Sequence, residues 1–115
     1  MQRKVYKVFT AADLAEAQAR GRFLGSADDR QDGYIHFSSR EQLAGTLARH
    51  FAGQRDLVLA AFDEASLGPA LRWEPARDGS LFPHLYSDLD PSLARSIDRL
   101  VLGDDGRHIL PEGLA

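Results

Sequence analysis

The sequence predicts an α+β fold, with a mostly antiparallel, curved sheet and two helices in the N-terminal half. Three observations predict it. The periodicities run strand, helix, strand, helix, strand and then strand-rich to the end, an order that segregates helices from most strands. Turn signals at Asp32-Gly33, Arg77-Asp78-Gly79-Ser80 and Asp104-Asp105-Gly106 separate short strands. No Gly-x-Gly-x-x-Gly follows a strand and no Walker loop is present, which does not favour a Rossmann unit. The 115 residues, 43% hydrophobic and 27% charged, suffice for a single domain, 1–115, with its own core.

The elements follow in order. Val5 to Phe9 reads as a strand with Val5 and Phe9 on one face, and Tyr6 and Val8 on the other. Thr10 is the expected N-cap of a helix over 11–20, with Asp13 at capping-box spacing and Gly21 as the stop. The run 25–33 reads as a polar loop. Tyr34 to Phe37 is the second strand. Ser38 or Ser39 caps a second helix reaching about Phe51, Ser38 with Glu41 fitting the capping box, and its packing face holds Leu43, Leu47, His50 and Phe51. Leu57 to Phe62 is a continuous apolar run, as a buried central strand requires. Leu67-Gly68-Pro69 is a turn. Leu71 to Glu74 and Leu81 to Tyr86 form a hairpin, Asp90-Pro91 opens a short helix or turn, and Ile97 to Leu102 is the last strand.

Composition narrows the function classes. Fourteen basic and seventeen acidic residues give a net charge of −3, and the sole basic cluster is Arg3, Lys4 and Lys7. An extended nucleic-acid track is not indicated. The chain has no cysteine, so disulfides and thiolate chemistry are excluded. The N-terminal residues show no apolar core of a signal peptide, and no stretch reaches the ~18 apolar residues of a membrane helix. A cytoplasmic protein without a membrane partner is the expectation. The sequence sets no oligomeric state.

Three segments carry side chains suited to chemistry. In Asp32-Gly33-Tyr34-Ile35-His36-Phe37-Ser38, strand alternation puts Tyr34, His36 and Ser38 on one face, and Ile35 and Phe37 toward the core. Ser38 at a helix start suits an anion. In Leu71-Arg72-Trp73-Glu74-Pro75, Leu71 and Trp73 face the core while Arg72 and Glu74 share the other face. In Leu81-Phe82-Pro83-His84-Leu85-Tyr86, Phe82, His84 and Tyr86 share a face. Each segment also has a plain structural reading: a capped half-buried strand, a cross-strand ion pair and a satisfied histidine. His50 reads as packing and His108 as structural or exposed. If the polar faces converge, aromatic rings, imidazoles and a carboxylate form a pocket suited to a nucleotide-like ligand.

These segments, with Tyr6-Lys7 and Arg49-His50-Phe51-Ala52-Gly53-Gln54, resemble a family of small bacterial proteins known as domain of unknown function family number 952. The likeness spans about Val5 to Leu110. More distantly, the chain is similar to the ADP-ribosyltransferase fold and its tRNA 2′-phosphotransferase relatives. That resemblance implies a split, strongly curved sheet and a cleft for NAD-like dinucleotides. It places Lys7 on the first cleft strand, His36 and Ser38 on the second, and Glu74 or His84 at the third catalytic place. Relatives are expected to hold glycine where this chain has Ser87, which implies a left-handed turn there.

Two classes of function remain open. In the first, an NAD- or nucleotide-binding enzyme uses Glu74, His36 and His84 as catalytic residues, with Lys7, Tyr34, Ser38, Arg72 and Tyr86 binding the cofactor. In the second, a non-catalytic module binds a small anionic ligand or a partner protein. A metal held by His36, His84 and Glu74 is a third arrangement, without local ligand spacing to support it.

Overall fold

The structure, a computed structural model, describes residues 3–114. It is α+β with two antiparallel sheets. In chain order the elements are β1 (Lys4–Thr10), α1 (Ala11–Arg20), α2 (Ala27–Asp32), β2 (Ile35–His36), α3 (Leu43–His50), β3 (Leu57–Asp63), α4 (Glu64–Leu67), β4 (Leu71–Pro75), β5 (Leu81–Leu85), β6 (Ser96–Leu102) and β7 (His108–Ile109). One sheet has the order β1-β3-β6-β7 and the other β2-β5-β4. None of the described helices is long and apolar enough to cross a membrane.

The first sheet is covered on both faces. The β1 alternation sends Val5 and Phe9 to one side, where they pack with Phe62, Leu14 of α1, Phe23 and the inner face of the second sheet through Ile35, Phe37 and Leu85. Tyr6 and Val8 go to the other side and meet Leu43 and Leu47 of α3, with Leu57, Leu59 and Leu100. Every residue of β3 is buried, as its unbroken apolar run requires. Register fixes the second sheet's inner row, because Leu85 pairs with both Ile35 and Leu71.

Several local expectations hold. Thr10 Oγ1 accepts from the Asp13 N–H at 3.0 Å, and Gly21 ends α1 at φ 80°. Others are corrected. The polar run 25–33 contains α2, because Ser26 caps Asp29 N–H at 3.2 Å while the Asp29 carboxylate accepts from Ser26 N–H at 2.9 Å. Gly25 precedes it at φ 112°, and a Cβ there would lie 3.0 Å from the Asp29 Cβ. The second helix does not start from Ser38. Ser38 is still bonded to β1, so Ser39 opens a 3-10 turn, with Gln42 Oε1 accepting its N–H at 2.9 Å. His50 is exposed, not packed. The Leu67-Gly68-Pro69 turn is the end of α4 running into a 3-10 turn at Gly68–Ala70. The tail adds β7, where the His108 Nε2–H donates to the Gln54 carbonyl at 2.7 Å. Ser87 needs no left-handed backbone, since Asp56 is the one non-glycine with positive φ among the described residues.

Equilibrium urea unfolding checks this packing. Leu43→Ala, at a fully buried position between α3 and the sheet, is expected to cost about 2–5 kcal/mol. Ser26→Ala removes a cap and is expected to cost about 1 kcal/mol.

Candidate functional site

Among the described residues, one backbone bridge joins the two sheets. Tyr6 and Ser38 exchange both backbone hydrogen bonds at 2.8 Å. In a continued antiparallel ladder the next exchanged pair would be Val8 and His36. The ladder stops instead, and the Asp29 carboxylate stands in the gap. Its Oδ1 accepts from the His36 backbone N–H at 3.1 Å and from His36 Nδ1 at 2.6 Å. The Lys7 ammonium bonds Oδ1 at 3.2 Å and Oδ2 at 3.0 Å. With Ser26 N–H on Oδ2, one carboxylate ties β1, α2 and β2 together.

This is a buried ion pair: Lys7 is 6% exposed and Asp29 2%. Lys7 lies on the apolar face of β1, between Val5 and Phe9, with its ammonium 5.8 Å from the Phe23 ring. Burial pushes the Lys7 ammonium down, against the pull of Asp29. Burial also works against the Asp29 charge, but the His36 bond, the Lys7 charge and two backbone N–H bonds outweigh it. The carboxyl is held well below the usual carboxylate range.

His36 is bonded at both ring nitrogens, through Nδ1 to Asp29 and through Nε2 to Asp32 Oδ2 at 2.8 Å. Carboxylates only accept, so both nitrogens carry hydrogen and the ring is an imidazolium. The Asp29 bond raises the His36 pKa, against the opposing effect of burial. Lys7 and His36 thus balance Asp29 and Asp32.

The second sheet builds the facing wall. His36, His84 and Arg72 form one cross-strand row, since His84 pairs with both of the others. The His36 and His84 rings lie 5.8 Å apart. Tyr34 stacks on His84 with centroids 3.9 Å apart. His84 Nδ1 bonds Glu74 Oε1 at 2.8 Å, and the Tyr86 hydroxyl donates to the same oxygen at 2.6 Å. These bonds, that of Tyr86 first, hold the Glu74 carboxyl below its ordinary value, and the Glu74 bond raises Tyr86.

Between these groups and α3 lies a cleft of about 460 Å³. Of the residues singled out in the sequence, Lys7, Tyr34, His36, Ser38 and His84 line it. Three do not. Glu74 stands behind His84, Tyr86 is bonded to Glu74, and the Arg72 guanidinium lies 5.2 Å over the Tyr86 ring. Ser38 offers no helix-start donor, because its N–H serves Tyr6 and its Oγ bonds Thr46 Oγ1 at 2.8 Å. His36, His84 and Glu74 form no metal-holding cluster, and none of three or more His, Cys, Asp or Glu exists among the described residues. Sequence reading gives Asp29 and Asp32 no site role, because their helix reads as loop there, and it gives none to Arg49 or His50 at the cleft's α3 side. The Ser26-x-x-Asp29 capping-box spacing was the available signal for the first.

Residues 8–96 match the family described as Protein of unknown function (DUF952), and the chain belongs to that family. Among solved structures it is similar to the crystal structure of protein CC0527 from Caulobacter crescentus, at 43% identity and a TM-score of 0.92, covering 96% of this chain and 97% of that one. The solution NMR structure of CC0527 aligns at 44% identity and a TM-score of 0.82 over 90% of each chain. No curated protein matches the chain.

Asp29→Ala would leave the Lys7 ammonium buried without its partner. The expected loss is about 3–5 kcal/mol, read by chemical denaturation. His36 gives a pH test. Its folded pKa lies above the ordinary value of about 6.5. Its contribution to stability is therefore full below about pH 6.5 and is lost as pH rises through the folded pKa. Unfolding free energies across this range should fall for the wild type, and His36→Gln should flatten that decline.

Proposed function

We propose that the cleft between the two sheets binds a nucleotide-like ligand, with NAD or a related nucleotide as the candidate. The observation that carries this reading is the convergence of Lys7, Tyr34, His36 and His84 on one cleft at the point where the sheets part. The resemblance to the ADP-ribosyltransferase fold implies a split sheet with its dinucleotide cleft. Two antiparallel sheets joined by the single Tyr6–Ser38 bridge are consistent with such a split. About 460 Å³ is within the range of small-molecule sites and suits one nucleoside half.

The charges suggest how such a ligand would lie. Lys7 and His36 are already balanced by Asp29 and Asp32. The inner cleft therefore offers aromatic surface and hydrogen bonds more than net positive charge. A base or nicotinamide ring fits beside Tyr34. The half-exposed Asp32 carboxylate is placed to accept from a ribose hydroxyl. Phosphates fit toward Arg49 at the mouth. Glu74 acts through His84 in this arrangement, not on the sugar directly.

Thermal-shift and calorimetric titrations with NAD and ADP-ribose test the reading. A ligand at a hundred times its Kd stabilises by about 2.7 kcal/mol. The expected result is such a shift with one of the two, lost in Tyr34→Ala and His36→Ala variants that still fold. No shift with either ligand would refute the nucleotide reading. Binding without turnover would make the protein a binding module.

A further inference from the structure

His36 and His84 face each other across the second sheet but are held differently. Carboxylates engage both nitrogens of His36. His84 is engaged on one side only, where Nδ1 meets Glu74 Oε1. Glu74 is an anionic acceptor that also accepts a hydrogen bond from the Tyr86 hydroxyl at 2.6 Å. A carboxylate on Nδ1 fixes the hydrogen there and leaves the lone pair of the neutral ring on Nε2. That nitrogen has no hydrogen-bond partner among the described residues, and His84 lines the cleft. The ring cannot easily turn away. Tyr34 is stacked on it at 3.9 Å, and its side chain is 12% exposed. A held imidazole that lines a cleft and keeps one nitrogen free is the arrangement of a general base.

We propose that the cleft hydrolyses carboxylic esters, with His84 Nε2 as the general base and Glu74 as the positioning residue that holds its ring. A water in the cleft gives one proton to Nε2 as its oxygen bonds to the ester carbonyl carbon. Collapse of that adduct breaks the carbon–oxygen bond to the leaving alkoxide, which takes the proton back from His84. Ester and water become acid and alcohol, and the imidazole returns to its starting state. A neutral carbonyl centre suits this cleft better than a phosphoryl anion, because the nearby Lys7 and His36 cations are already paired. No nucleotide is needed for the step.

p-Nitrophenyl acetate is the probe. The wild type is expected to release nitrophenol faster than buffer, with kcat/KM reduced about 100-fold or more in His84→Gln and His84→Ala. Glu74→Gln should lower kcat about tenfold or more and leave KM unchanged, a split that a merely structural defect would not give. His108→Ala, at a residue that does not line the cleft, should retain the full rate. If the His84 variants fail to fold, diethyl pyrocarbonate on the wild type supplies the readout. Carbethoxylation of His84 should abolish release while His36 is spared. Wild-type rates in the His84 variants, release surviving complete His84 modification, or no release by the wild type would overturn the assignment of His84. An unchanged kcat in Glu74→Gln would overturn the role of Glu74. Calorimetry with NAD on the same samples separates this activity from the nucleotide reading. Release without NAD binding sinks only the latter, and NAD binding without release sinks only the former.

Discussion

The Asp29 carboxylate is the constraint on which the rest of the site depends. Two sheets that share one bridge must leave backbone groups unpaired where they part, and an unpaired buried N–H is costly. Asp29 accepts the orphaned N–H of His36, neutralises the lysine that β1 sends into the core and holds the His36 ring. Its own helix is held by the same side chain, through the Ser26 N–H. Burying a carboxylate is tolerable only because every one of these donors is present. The opening between the sheets is thus a satisfied feature of the fold and not a packing fault.

The second consequence is a division of labour between two histidines. Direct cross-strand pairing puts His36 opposite His84, but α2 reaches only the first. Its two aspartates lock His36 as a cation. The second is set by β4, where Glu74 is two residues along from Arg72, the residue paired to His84, and reaches it diagonally. Tyr34 packs within 4.8 Å of one ring and 3.9 Å of the other, joining the two systems into one wall. A charged imidazole and a free imidazole nitrogen then share one cleft, the division that acid–base chemistry uses. The chain's 43% identity to CC0527 over nearly its whole length says that this scaffold is shared, and leaves the chemistry to the side chains.

Much of this was legible in the sequence, for identifiable reasons. The alternation in β2 puts Tyr34, His36 and Ser38 on one face by period alone, whereas Lys7 comes from the family resemblance, which places it on the first cleft strand. The unbroken apolar run of β3 gave its burial. The failures have a common source. The run 25–33 is polar throughout, so no periodicity marks α2, and its stability comes from capping and from the Lys7 contact 22 residues away. Arg72 and Glu74 share a face with His84, but alternation does not say how far along a strand a side chain reaches. The guanidinium turned to Tyr86 and the carboxylate to His84. His50 was assigned to packing by spacing, and the helix rotation places it at the cleft.

The protonation pattern of the two rings tests the account most directly. Nitrogen-15 NMR of the imidazole nitrogens at neutral pH reads it without any ligand. The account predicts that His36 shows hydrogen on both nitrogens, and that His84 carries hydrogen on the Nδ1 that meets Glu74. The His36 pattern should collapse to that of an ordinary histidine in Asp29→Asn. A His36 that carries one hydrogen in the wild type, or one whose spectrum ignores Asp29, would contradict the view that this carboxylate organises the site.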